Sequence, residues 1–253
     1  MTLWTTTHIR TLLPGIVIMI LIAVALRLLL GKKSLKVRMI PFQIVACLIF
    51  ALEIAKQVIS FQRGYDLYHL PFHFCSMLIF LPVIMAFYRG KHEKTVSCIT
   101  TAVTAAVFLL TAIYPDLIYS AQAVKEFTTN FFSFHTVSFH NLAMLLFLLI
   151  PALKLHEPAS KGETLKVQLF ILGFCTVSAS MAHILKVNFN NFYKCNIAPL
   201  EAVRQSVEAS LGGAAAAIFY VLIVTVMDVL FVTGAYWFYR LLYLIFNNKK
   251  ARA

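Results

Sequence analysis

Seven apolar stretches, each bounded by charged residues or proline, follow one another along the chain near residues 12–30, 39–60, 71–88, 96–114, 135–153, 165–187 and 214–246. A helix rising about 1.5 Å per residue needs about 20 apolar residues to cross about 30 Å of hydrocarbon. The pattern therefore predicts an all-α, polytopic transmembrane helical bundle of about seven helices, forming a single integral membrane domain over residues 1–253. The seventh run exceeds one straight crossing and is expected to tilt or project. At its start, residues 209–217 (ASLGGAAAA) supply small side chains for close helix contact.

Composition agrees and narrows the class. Hydrophobic residues make up 60% of the 253 and charged residues only 13%, about half the charged share of a soluble globular domain. A soluble fold is excluded. The net charge of +12 raises nucleic acid or an anionic membrane surface as partners, and the placement of the basic residues decides between those and topology. Lys32, Lys33, Lys36 and Arg38 follow helix 1; Arg89, Lys91 and Lys94 follow helix 3; Lys154, Lys161 and Lys166 follow helix 5; Arg240, Lys249, Lys250 and Arg252 close the chain. These are 14 of the 22 basic residues, against six on the other side. By the positive-inside rule the N-terminus lies outside and the C-terminus in the cytoplasm, and no nucleic-acid partner is needed. A cleaved signal peptide is the rival reading of the start. Cleavage after residues 23–25 would leave the basic residues 32–38 outside, and residues 26–30 continue the apolar run, so an uncleaved helix is expected.

Ionisable residues in spans are costly, so they face a bundle interior or a wet cavity and are candidates for function. With the orientation above, Glu53 and Lys56 fall in the upper half of helix 2, and His69, His73 and Cys75 at the top of helix 3. His135 and His140 enter at comparable depth on helix 5. His183 ends helix 6, followed by Asn188, Asn190, Asn191 and Tyr193, and Asp228 lies near mid-membrane. Imidazole, thiol, carboxylate and amide groups from four segments are thus expected in the outer leaflet. Each has a plainer reading: a membrane histidine as an interhelical hydrogen bonder, a cysteine as a small hydrophobe, and Glu53 with Lys56 as a neutralised pair. His8, His92 and His156 read as solvated, and the Phe-rich stretch 127–139 as an interfacial aromatic belt.

Spacing limits the chemistry. His73 and Cys75 are two residues apart, about 200° around a helix, so a base for Cys75 must come from another segment. His140 is preferred by depth, with His135 and His183 as alternatives. A metal site from His73, His135, His140 and His183 has no compact ligand spacing behind it, and His69 and His73 are separated by Pro71. The five cysteines form no CxxC pair. No metal and no cofactor are expected.

The stretch 53–81 (EIAKQVISFQRGYDLYHLPFHFCSMLIFL), with LPFHFC at its centre, resembles the YwaF family of bacterial integral membrane proteins. Residues 133–149 (SFHTVSFHNLAMLLFLL) look like the family's histidine-bearing helix, and residues 188–199 (NFNNFYKCNIAP) like its Asn-Tyr segment, with Phe192 intervening between Asn191 and Tyr193. The YwaF family is similar to the transmembrane protein 164 group, associated with acyl transfer onto lyso-ether phospholipids through a membrane cysteine and histidine. It is more distantly similar to androgen-induced hydrolases of fatty-acid esters. Carried over by motif, those residues are Cys75 and His140. The resemblance implies a multi-pass protein of the bacterial cell membrane with lipid partners, such as a lysophospholipid or fatty-acyl substrate.

The expected activity is that of a lipid acyltransferase or lipid-ester hydrolase of lipid metabolism. Cys75 would be the acyl carrier and His140 its base; Asn141, Asn191, Tyr193 or His73 would hold the oxyanion; Glu53 or Asp228 would orient the base. The alternatives are a non-enzymatic membrane carrier or small-molecule or lipid-binding protein using the same cavity, and a structural protein whose polar groups fix helix packing. Inverted repeats or mid-membrane helix breaks, the usual traces of transport, are not evident in the sequence.

Overall fold

The computed structural model describes residues 4–117, 119–158, 162–194 and 198–247, and among them every regular element is helical. The long helices are α1 (Thr6–Leu30), α2 (Leu35–Gln62), α4 (Glu93–Ile113), α6 (Phe131–Leu153), α7 (Gly162–Leu185) and α9 (Gly213–Asn247). Shorter ones are α3 (Met77–Phe87), α5 (Ala121–Lys125) and α8 (Ala198–Leu211). Among the described residues, six helices are long and apolar enough to cross a membrane. Successive apolar segments alternate in direction, which gathers residues 63–76, 119–130 and 186–194 at one end and the described basic connections at the other.

The third expected span is corrected. In place of a helix over 71–88, α3 has 11 residues, about 16 Å at 1.5 Å per residue and too short to cross. Proline disfavours the helical backbone of the residue before it, and Leu70, ahead of Pro71, is extended at φ −61°, ψ 146°. His73 is also extended, so the chain enters the bundle as a loop with two short 3-10 turns before α3 begins.

The packing turns on α4, which meets α3, α6, α7 and α9. It presents a string of fully buried small residues, among them Thr100, Thr101, Ala102, Thr104, Ala105 and Ala106, which let neighbouring backbones approach closely. The threonine hydroxyls stay satisfied in an apolar interior by bonding carbonyls one turn back: Thr101 to Ser97, Thr104 to Thr100 and Thr111 to Val107, at 2.7–2.8 Å. A leucine at Ala105 has no room. Ala105→Leu is expected to cost about 1–3 kcal/mol, read as an earlier thermal unfolding transition in detergent, whereas Leu21→Ala on the exposed face of α1 moves it little.

Two basic residues at the opposite end cap helix C-termini. Arg38 donates to the Leu153 carbonyl that ends α6 (2.6 Å), and Arg89 to the Met85 and Ala86 carbonyls that end α3. Lys161, Lys249, Lys250 and Arg252 lie outside the described residues.

Candidate functional site

The loop after α2 builds one wall of the site. Gly64 turns the chain with φ +83°, Asp66 accepts from the Tyr68 N–H at 2.8 Å, and the turn Phe74–Ser76 places Cys75 at the entrance to α3. The loop is pinned from across the bundle. Asn190 accepts the Phe74 N–H through Oδ1 and donates through Nδ2 to Ser178 Oγ at 3.3 Å, while Ser178 donates to the Phe72 carbonyl at 2.7 Å. Asn190 and Asn191 occupy the left-handed region at φ 49° and 61°, which asparagine enters more readily than other side chains.

Between this loop, α2, α6 and the 188–191 segment lies a cavity of about 460 Å³. Its polar wall includes Glu53, Lys56, His69, His73, Cys75, His135, His140 and Asn191; its apolar wall includes Ile79, Val107, Leu110 and Phe139. Such mixed walls suit a ligand with a polar head and an apolar chain.

Glu53, 6% exposed, anchors the polar wall. Its Oε1 lies 2.7 Å from Lys56 Nζ and accepts from Gln57 Nε2 at 2.7 Å; its Oε2 lies 3.2 Å from His135 Nε2, an ion-pair distance off the line of a hydrogen bond. Gln57 also donates to the His69 carbonyl and accepts from the Tyr65 hydroxyl. His69 sits 2.6 Å from Ser60 Oγ and stacks on Phe132. Burial lowers the His69 pKa, with Lys56 adding to the effect; burial also lowers that of His73, opposed by its hydrogen bond to the Tyr68 carbonyl.

The tautomer of His140 follows from its contact. Nδ1 lies 2.7 Å from the Thr136 carbonyl oxygen, which only accepts, so Nδ1 carries the hydrogen and Nε2 of the neutral ring is left with its lone pair. By the same logic His73 Nε2, 3.0 Å from the Tyr68 carbonyl, is the donor of its ring. Cys75 is a free thiol that lines the cavity with both imidazoles.

Four candidates lie elsewhere. His183 is exposed, its ring 5.7 Å from that of Tyr193, and neither lines the cavity. Asn141 accepts the Tyr119 hydroxyl at 2.9 Å, and Asp228 accepts the Cys175 thiol at 3.6 Å. Depth along a helix had grouped these residues, but azimuth separates them: Asn141, next to His140, is turned about 100° away. Of the two carboxylates, only Glu53 reaches the cavity, where it contacts His135. Two histidines expected at the surface are buried, His8 at 1% and His156 at 5% exposure, whereas His92 is exposed. Asn190, whose amide positions the Cys75 turn, was seen in sequence only as a neighbour of Asn191. Its positive φ is the signal that asparagine-rich turns carry.

The TMEM164 family model matches residues 3–233. No curated protein and no solved structure matches the chain.

Proposed function

The chain belongs to the TMEM164 family, and from that premise we propose that it is a thiol-dependent lipid acyltransferase or lipid-ester hydrolase whose active site is the 460 Å³ cavity. The observation that carries this reading is the presence of Cys75 and His140 on one cavity, with the His140 ring held so that its Nε2 is an acceptor. The basic-residue count assigns the cavity to the outer leaflet. A membrane phospholipid enters laterally, its chain against the apolar wall and its ester toward the polar one.

His140 Nε2 takes the thiol proton of Cys75, and the thiolate attacks the acyl carbonyl carbon. The tetrahedral oxyanion is met by donors of the polar wall, the Asn191 side-chain amide among them. Collapse breaks the ester bond, and the departing alkoxide takes the proton back from His140, leaving an acyl thioester on Cys75. A lysolipid hydroxyl or water then gives its proton to His140 and attacks the thioester, which restores the thiol and releases the acylated lipid or fatty acid.

The thioester is the species to catch. Protein in nanodiscs given a phospholipid with an alkyne-tagged acyl chain is expected to acquire a label that hydroxylamine removes and that maps to Cys75. Absence of label from wild type under turnover conditions, or equal label on Cys75→Ser and wild type, sinks the proposal.

A further inference from the structure

At the end of the bundle opposite the cavity, three ligand types from three segments converge. Cys98 comes from the second turn of α4, His156 from the connection after α6, and Glu163 from the first turn of α7. One ligand atom of each lies within 4.8 Å of the other two. All three residues are buried, at 0%, 5% and 5% exposure, and Tyr236 and Tyr239 of α9 close over them. The Tyr236 hydroxyl donates to Glu163 Oε2 at 2.8 Å and lies 3.2 Å from His156 Nε2, and the Tyr239 hydroxyl donates to the His156 carbonyl.

We propose that Cys98, His156 and Glu163 form a buried zinc site, three protein ligands whose tetrahedron a water completes. Bonds of about 2.0–2.3 Å at tetrahedral angles put ligand atoms about 3.3–3.5 Å apart, and with all three within 4.8 Å of one another small side-chain rotations bring them to that spacing. Sulfur and imidazole nitrogen with a single carboxylate select zinc or a neighbouring transition metal over magnesium or calcium. Charge supports the same ion: a thiolate, a carboxylate and a neutral imidazole cancel the two positive charges of Zn²⁺, so a net-neutral unit is buried and the desolvation cost of an unbalanced charge is avoided. Binding releases one proton, from the Cys98 thiol. Tyr236 ties the carboxylate to the imidazole, the kind of outer contact that orients metal ligands. The residues are closed in rather than cavity-lining, so the ion clamps the α6–α7 connection to α4 and takes no part in acyl chemistry.

The test uses the full chain, purified in detergent without chelator. Wild type is expected to carry about one zinc per chain and, on exchange with Co²⁺, to show tetrahedral visible bands and a near-ultraviolet thiolate-to-cobalt band, as a site with one thiolate requires. Cys98→Ser loses the near-ultraviolet band, and Glu163→Gln weakens Zn²⁺ binding by at least about tenfold. Should Cys98→Ser fail to fold, a chain with Cys47, Cys75, Cys175 and Cys195 all changed to alanine decides the matter by keeping the band. The proposal is overturned if wild type takes up neither Zn²⁺ nor Co²⁺ at micromolar concentration. It is equally overturned if the thiolate band is absent from wild type, persists in folded Cys98→Ser, or disappears from the four-alanine chain.

Discussion

Cys75→Ala is expected to lower phospholipid acyl turnover by at least about 10³-fold, and His140→Ala by about 10²–10⁴-fold, with little change in how tightly the lipid is held. On the proposed mechanism the first change removes the atom that carries the acyl group, and the second removes only the group that moves the proton. Combining them is expected to cost about as much as Cys75→Ala alone, because residues acting on one step are not additive. Thr136 gives a control that separates proton transfer from packing: its carbonyl, not its side chain, holds His140 Nδ1, so Thr136→Val leaves the tautomer intact and keeps most of the activity. The measurement is release and transfer of a labelled acyl chain by purified protein in nanodiscs, beside lipid binding by the same samples. If both single variants turn over lipid at the wild-type rate, Cys75 and His140 are not the reacting pair. Binding without turnover in wild type would identify a carrier that uses the same cavity.

Glu53→Ala is expected to destabilise the protein by about 3–5 kcal/mol, the usual cost of stripping one partner from a buried ion pair. The carboxylate engages Lys56, Gln57 and His135 together, and Lys56, with a side chain only 16% exposed, would be left with a charge facing low dielectric. The double variant Glu53→Ala with Lys56→Met removes both charges and is expected to recover most of the loss. Thermal unfolding of the single and double variants in detergent decides: a single variant within about 1 kcal/mol of wild type, or a double variant no better than the single, contradicts the assignment of Glu53 as the anchor of the polar wall. Glu53→Gln, which keeps the shape and part of the hydrogen bonding, is expected to fall between.

Hydropathy alone located six long apolar helices to within a few residues at most of their ends, because lipid demands an unbroken apolar run and charges stop it. The same signal failed at residues 71–88, where the run is apolar enough but His73 is extended and the Phe72 and Phe74 backbone groups bond Ser178 and Asn190 across the bundle, so the first third of the stretch became the loop that delivers Cys75. Small and hydroxyl-bearing residues on α4 read in sequence as one more span. Their role as the centre of packing emerges only from which four helices surround it.

Sequence determined the class of protein, the alternation of its segments and the shortlist of reactive groups, since each depends on local composition and on the cost of burying charge. Tertiary structure decided membership in the cavity. His140 and Asn141 are adjacent in the chain, yet one faces Cys75's cavity and the other Tyr119. Asp228 is committed to Cys175, and Cys98 meets His156 and Glu163 across gaps of 58 and 65 positions. Depth in a membrane can be counted along a helix, but the direction in which a side chain points, and what arrives from another helix to meet it, depend on packing between segments far apart in the chain.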